Sequence, residues 1–62
     1  MEYYELSAIL EELGWSKAEL GRRAGIAVST IYGWRKIPGP VAAYVRLALA
    51  VKRLGEKMEA EQ

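Results

Sequence analysis

Gly25 stands between two short stretches of helical spacing in the segment WSKAELGRRAGIAVSTIYGWRK, Trp15 to Lys36. Glycine enters left-handed backbone without a Cβ penalty, so one helix can stop there and another start almost at once. Upstream, Ser16 and Glu19 have the spacing of a capping box, in which the serine oxygen accepts one orphan amide and the glutamate reaches back to another. Leu20, Ile26, Ile31 and Trp34 are the apolar positions around the turn. Gly21 and Ala24 are small where two helices must approach closely. The segment therefore predicts two short helices joined by a tight turn, the second keeping one face free.

The flanks supply two further helices. Leu6, Ile9, Leu10 and Leu13 recur at i, i+3, i+4 and i+7, which predicts a first helix over about 3–13. Glu2 and Glu5 suit the positive end of its dipole, Gly14 supplies the stop, and Trp15 can fold back on the last turn. Tyr3 and Tyr4 lie at the core edge or at a contact between copies. The third helix is read as Val28 to Lys36, with Ile31 and Trp34 as its buried stripe and Val28, Ser29, Tyr32 and Gly33 exposed. After the rigid turn Ile37-Pro38-Gly39-Pro40, Pro40 fits the first turn of a fourth helix capped by Gly39. Val41, Tyr44, Val45, Ala48 and Val51 give that helix an apolar face to about Leu54, broadened by Leu47, Leu49 and Ala50. Gly55 suggests a stop, leaving 56–62 as a polar, frayed tail.

Sixty-two residues form one domain, 1–62, near the lower limit for folding without staples. There is no cysteine and no histidine, so disulfides, thiol chemistry, the commonest general base and the commonest metal ligands are missing. With no glycine-rich phosphate loop either, an enzyme is not expected, nor is a cofactor or a metal. No apolar run is long enough for a membrane span, since LALAV lies between Arg46 and Lys52, and the expected location is the cytoplasm. The net charge is only +1, but its distribution is uneven. From Gly14 to Gly55, Lys17, Arg22, Arg23, Arg35, Lys36, Arg46, Lys52 and Arg53 face a single acid, Glu19, a balance of +7. The ends together carry −6. Such a basic middle is the electrostatic footprint sought in a nucleic-acid binder, although a solvated face on a helical bundle would show it too.

Ser16-Lys17-Ala18-Glu19-Leu20-Gly21, then Gly25-Ile26 and Thr30-Ile31 with Trp34, resembles the Cro and lambda-repressor-like helix-turn-helix family, also called the XRE family. The motif spans about a third of the chain, and PGPVAAYVRLAL resembles the continuation in small members. Ala27, Lys17 and Arg35 depart from the serine, glutamine and glutamate usual at those places. The resemblance implies an all-α, lambda-repressor-like DNA-binding domain of four helices, with length for a fifth, and a helix-turn-helix at about residues 16–36. It implies a cytoplasmic, nucleoid-associated transcriptional regulator of phage or bacterial repressor type, bound to double-stranded operator DNA as a homodimer. The second helix of the motif would lie in the major groove while the first crosses the backbone.

Expected base contacts are Val28, Ser29, Tyr32 and Gly33: a methyl-sized apolar surface, a hydroxyl, an aromatic edge and a close backbone approach. Expected phosphate contacts are Lys17, Arg22, Arg23, Arg35 and Lys36. Leu47, Leu49 and Leu54 are candidates for a dimer interface, with ordinary core packing as the alternative. A chain of this length leaves no room for a domain that senses a small-molecule effector. The alternative function is an antitoxin-like or adaptor module that uses the same scaffold to bind a protein.

Overall fold

Helices α1 (Tyr3–Leu13), α2 (Lys17–Ala24), α3 (Val28–Tyr32) and α4 (Gly39–Ala60) follow one another in a computed structural model that describes residues 1–60. The class is all-α; among the described residues the only sheet-like pairing is an isolated bridge between Glu2 and Lys36. Helix α1 packs along α4, and α2 packs on α3. One buried cluster joins all four, built from Leu6, Leu10, Leu20, Ile31, Ile37, Val41, Ala42 and Val45. Met1, Tyr3, Ile9, Trp15, Ala24, Ile26 and Trp34 close its edges. Among the described residues no polar or charged residue is buried.

Both glycine stops operate as the sequence predicts. Gly14 has φ 76°, and its N–H donates to the Glu11 carbonyl at 3.1 Å while the Trp15 N–H donates to Leu10 at 2.9 Å. These two bonds satisfy orphan carbonyls of α1 and fold Trp15 back onto the core. Gly25 has φ 71°, and the Ile26 N–H donates to the Gly21 carbonyl at 2.8 Å. Gly21 is held by sterics of another kind. A Cβ built there would lie 2.5 Å from the Ile26 carbonyl oxygen, so the turn can close over α2 only if residue 21 has no side chain.

The capping box is half formed. Ser16 Oγ accepts from the Glu19 N–H at 3.1 Å, as expected. The Glu19 carboxylate does not reach back; it accepts from Arg22 at 2.5 Å and from Arg23 at 2.8 Å. Two guanidinium groups one turn ahead offer charge-assisted bonds, which outcompete a neutral amide.

Two helix boundaries differ from the sequence reading. Helix α3 ends at Tyr32, four residues before Lys36. The Gly33 N–H is shared between the Ser29 and Thr30 carbonyls at 3.2 and 3.1 Å, and the Trp34 N–H donates to Ile31 at 3.3 Å, which winds up the last turn. The chain then runs beside the N-terminus, where the Ile37 N–H donates to the Met1 carbonyl at 3.0 Å. Ile37 is thereby buried, a gain that a continuing helix of poor propensity at Gly33 would not give. Arg35 and Lys36 consequently sit in a turn rather than in a helix. Helix α4, by contrast, does not stop near Leu54 but continues through Gly55 to Ala60. Glycine costs a helix interior about 1 kcal/mol without breaking it, and Lys52 and Glu56 pair across it at 3.7 Å. Residues 56–60 are therefore helical, while 61 and 62 lie outside the described residues.

Lys52 and Arg53 fasten α4 to the end of α1. Lys52 Nζ donates to the Glu12 carbonyl, one of the orphan acceptors of the α1 C-terminus, and Arg53 binds both Glu12 carboxylate oxygens at 2.8–3.1 Å. No helix of the described residues is long and apolar enough to cross a membrane.

Candidate nucleic-acid interface

Helix α3 is only five residues, about one and a half turns, and its anchor is Ile31, fully buried against α2 and the core. With Ile31 inward, the remaining positions face out. Val28, Ser29, Thr30, Tyr32 and Gly33 are all exposed, Tyr32 at 65%. The four residues expected at bases are thus brought together on one surface. Thr30 joins them on that surface and was not among the residues expected there. Its signal was present, because a helix with one buried residue per turn exposes both neighbours of that residue. Gly33 sits at the end of this surface as the helix terminator.

Lys17 is delivered to the same surface by the first turn of α2. Its ammonium lies 5.5 Å from the Tyr32 ring centroid and 5.4 Å from that of Tyr3. A cation against an aromatic face is worth about 0.5–1 kcal/mol at exposed sites, enough to bias where the Tyr32 ring points. Lys17 therefore both adds positive charge beside α3 and orients the exposed Tyr32 ring. Arg22 is 69% exposed and borders the shallow groove formed by Ala18, Gly25, Ala27 and Val28, at the start of α3. Arg35 and Lys36 are exposed just beyond its end. Four of the five expected phosphate contacts thus surround α3.

Arg23 goes elsewhere. Its guanidinium stacks 4.3 Å from the Trp15 ring and borders the groove shared with Tyr44 and Leu47 on the α4 side. Glu19 couples the two arginines. The hydrogen bond from Arg22 and then that from Arg23 hold the Glu19 carboxyl below the usual carboxylate range, and the nearby positive charges act in the same direction. At neutral pH the trio is ionised and carries a net charge of +1.

The dimer candidates divide as well. Leu47 and Leu54 are 65% and 59% exposed, but Leu49 is 7% exposed and belongs to the protomer core. Leu49 offers no surface to a partner because it faces inward one turn after Val45, on the opposite side of α4 from Leu47.

Among the described residues no group of three or more acidic side chains converges in a way that could hold a metal. Set against known proteins, the chain matches no family model, no curated protein and no solved structure.

Proposed function

We propose that this chain is a sequence-specific double-stranded DNA-binding regulator of the repressor type, working as a dimer on an inverted repeat, with α3 presented to the major groove. The observation that carries the reading is the exposed face of α3. Small and hydroxyl-bearing side chains there are pinned by buried Ile31 and ringed by Lys17, Arg22, Arg35 and Lys36. Ser29 and Thr30 donate or accept at base edges, Val28 touches a thymine methyl, and Tyr32 offers a ring edge and a hydroxyl. The surrounding cations bind phosphate, fix the register of the helix, and make affinity fall with salt by a slope near −0.9 per neutralised phosphate. Two copies would read half-sites about 34 Å apart, one helical turn, and regulate by occupying the site.

A salt-titrated selection on random duplex DNA tests this. Enrichment of an inverted repeat is expected. Tyr32→Ala should lower affinity for the selected site and relax its preferences, whereas Arg22→Ala should weaken all sequences alike and flatten the salt slope. Lys17→Ala should do both, because it removes a charge and releases Tyr32, so the Lys17 and Tyr32 effects should be non-additive. Absence of DNA binding at low salt would overturn the reading. One observation favours the second reading, a protein-binding adaptor or antitoxin-like module: α3 carries no arginine, asparagine or glutamine for bidentate base contacts. That reading expects salt-insensitive binding to a protein partner.

A further inference from the structure

Of the four cations that surround α3, Arg22, Arg35 and Lys36 are exposed and Lys17 alone is half-buried. Arg22 is held by the Glu19 carboxylate, but among the described residues Lys17 makes no ion pair. It has two aromatic rings instead. Its ammonium lies 5.4 Å from the Tyr3 centroid and 5.5 Å from the Tyr32 centroid, so α1, α2 and α3 each give one residue to the group. The two ways of holding a cation differ in what they leave behind. A carboxylate cancels the charge, whereas a ring face attracts it through the quadrupole and leaves the net charge intact. A free lysine stem samples many rotamers and loses that freedom when its ammonium meets phosphate. A lysine already held by rings has lost part of it beforehand.

Tyr3 is the fixed side of this group. It is half-buried and packs against the core cluster, while Tyr32 is 65% exposed. The start of α1 is also fastened to the chain that leaves α3. Glu2 bridges Lys36, and the Met1 carbonyl accepts from the Ile37 N–H at 3.0 Å. Support therefore runs from the core to Tyr3, from Tyr3 to Lys17, and from Lys17 to the Tyr32 ring. We infer that Tyr3 is a positioning residue of the α3 surface, an inference that rests on the DNA reading proposed above. It holds the Lys17 ammonium with its charge uncancelled where phosphate would arrive, and through Lys17 it sets the Tyr32 ring, without touching DNA itself. The contact persists in the complex, because a ring does not compete with phosphate for the charge. An aliphatic side chain at position 3 would cover the core edge as well as tyrosine does and leave Lys17 loose, so the two duties of Tyr3 are separable.

Proton NMR of the free full chain and anisotropy on the duplex selected by the parent test this together. In the free protein the Lys17 ε-methylene protons should lie upfield of those of Lys36, shielded by the rings. Tyr3→Leu should move them toward the position of an exposed lysine, and Tyr3→Phe should keep them in place. On the selected duplex Tyr3→Leu should bind about two- to fivefold more weakly, the strength of one exposed cation–π contact. It should also relax the same base preferences as Tyr32→Ala, and Tyr3→Phe should restore both. In a Lys17→Ala background Tyr3→Leu should cause no further loss. Circular dichroism should show every variant folded. Unshifted Lys17 protons in the parent would overturn the inference, as would an equal loss from Tyr3→Leu with and without Lys17. A Tyr3→Leu chain that binds the selected duplex as well as the parent would overturn it too, and leave the DNA reading standing. A parent that binds no duplex at low salt would sink that reading and the inference with it.

Discussion

Replacing Gly21 and Gly55 by alanine, one at a time, should move stability in opposite directions. Both are helical glycines, and alanine is the better helix former by about 1 kcal/mol. Propensity alone therefore makes both variants more stable. At Gly55 nothing lies within 4 Å of the new methyl group, so Gly55→Ala should gain about 0.5–1 kcal/mol. At Gly21 the methyl would sit 2.5 Å from the Ile26 carbonyl oxygen and 3.6 Å from the Ile31 Cδ1. The nearer atom is backbone and cannot rotate away. It belongs to the turn that Ile26 itself closes by donating to the Gly21 carbonyl, so opening the turn by about an ångström costs that bond, about 1 kcal/mol. Overpacking of a tight site adds about 1–3 kcal/mol. Less the propensity gain, Gly21→Ala should lose about 2 kcal/mol, which in a chain this short is roughly 15 °C of melting temperature. Thermal and urea unfolding of the two variants beside the parent at one protein concentration give the comparison. If Gly21→Ala melts at or above the parent, the turn is not held by that contact and the steric account of α2 against α3 fails.

Three further outcomes are expected. Ser16→Ala should lose about 1 kcal/mol by urea unfolding, the usual worth of an N-cap, because Ser16 Oγ satisfies the Glu19 amide; no loss would mean water replaces it fully. Leu49→Ala should lose about 2–5 kcal/mol as a core truncation, while Leu47→Ala, at 65% exposure, should leave protomer stability nearly unchanged at dilute concentration. Equal effects would contradict the assignment of the two faces of α4. Glu19 has a folded pKa below its ordinary value, so its ion pairs contribute at neutral pH and lose that contribution as pH falls through the lowered value. The melting temperatures of the parent and Glu19→Gln should therefore differ at neutral pH and converge in acid, and a gap that stays constant into strong acid would refute the pairing.

The local punctuation of this chain was legible because it depends on neighbours only. Gly14 and Gly25 stop helices through their own φ freedom, Ser16 caps through an amide three residues away, and the α1 repeat of Leu6, Leu10 and Leu13 finds the core by helical geometry. Gly21 was recognisable as a small residue at a close approach, though not that the approaching atom is a carbonyl of the turn itself. The exposure of Val28, Ser29 and Tyr32 followed from placing Ile31 inside.

The end of α3 was decided only by tertiary structure. Gly33 is compatible with a helix to Lys36, and what ends it is Ile37 entering the core beside Met1, a partner 36 residues away. The same holds for side-chain duties. Arg22 and Arg23 are adjacent and alike in sequence, yet one borders α3 and the other stacks on Trp15. Leu47 and Leu49 are likewise two residues apart, one outside and one inside. The sequence by itself determined where helices could start, stop and turn, because those energies are local. Which of the permitted ends were used, and which of two similar side chains faces the core, depended on contacts made only once distant segments meet.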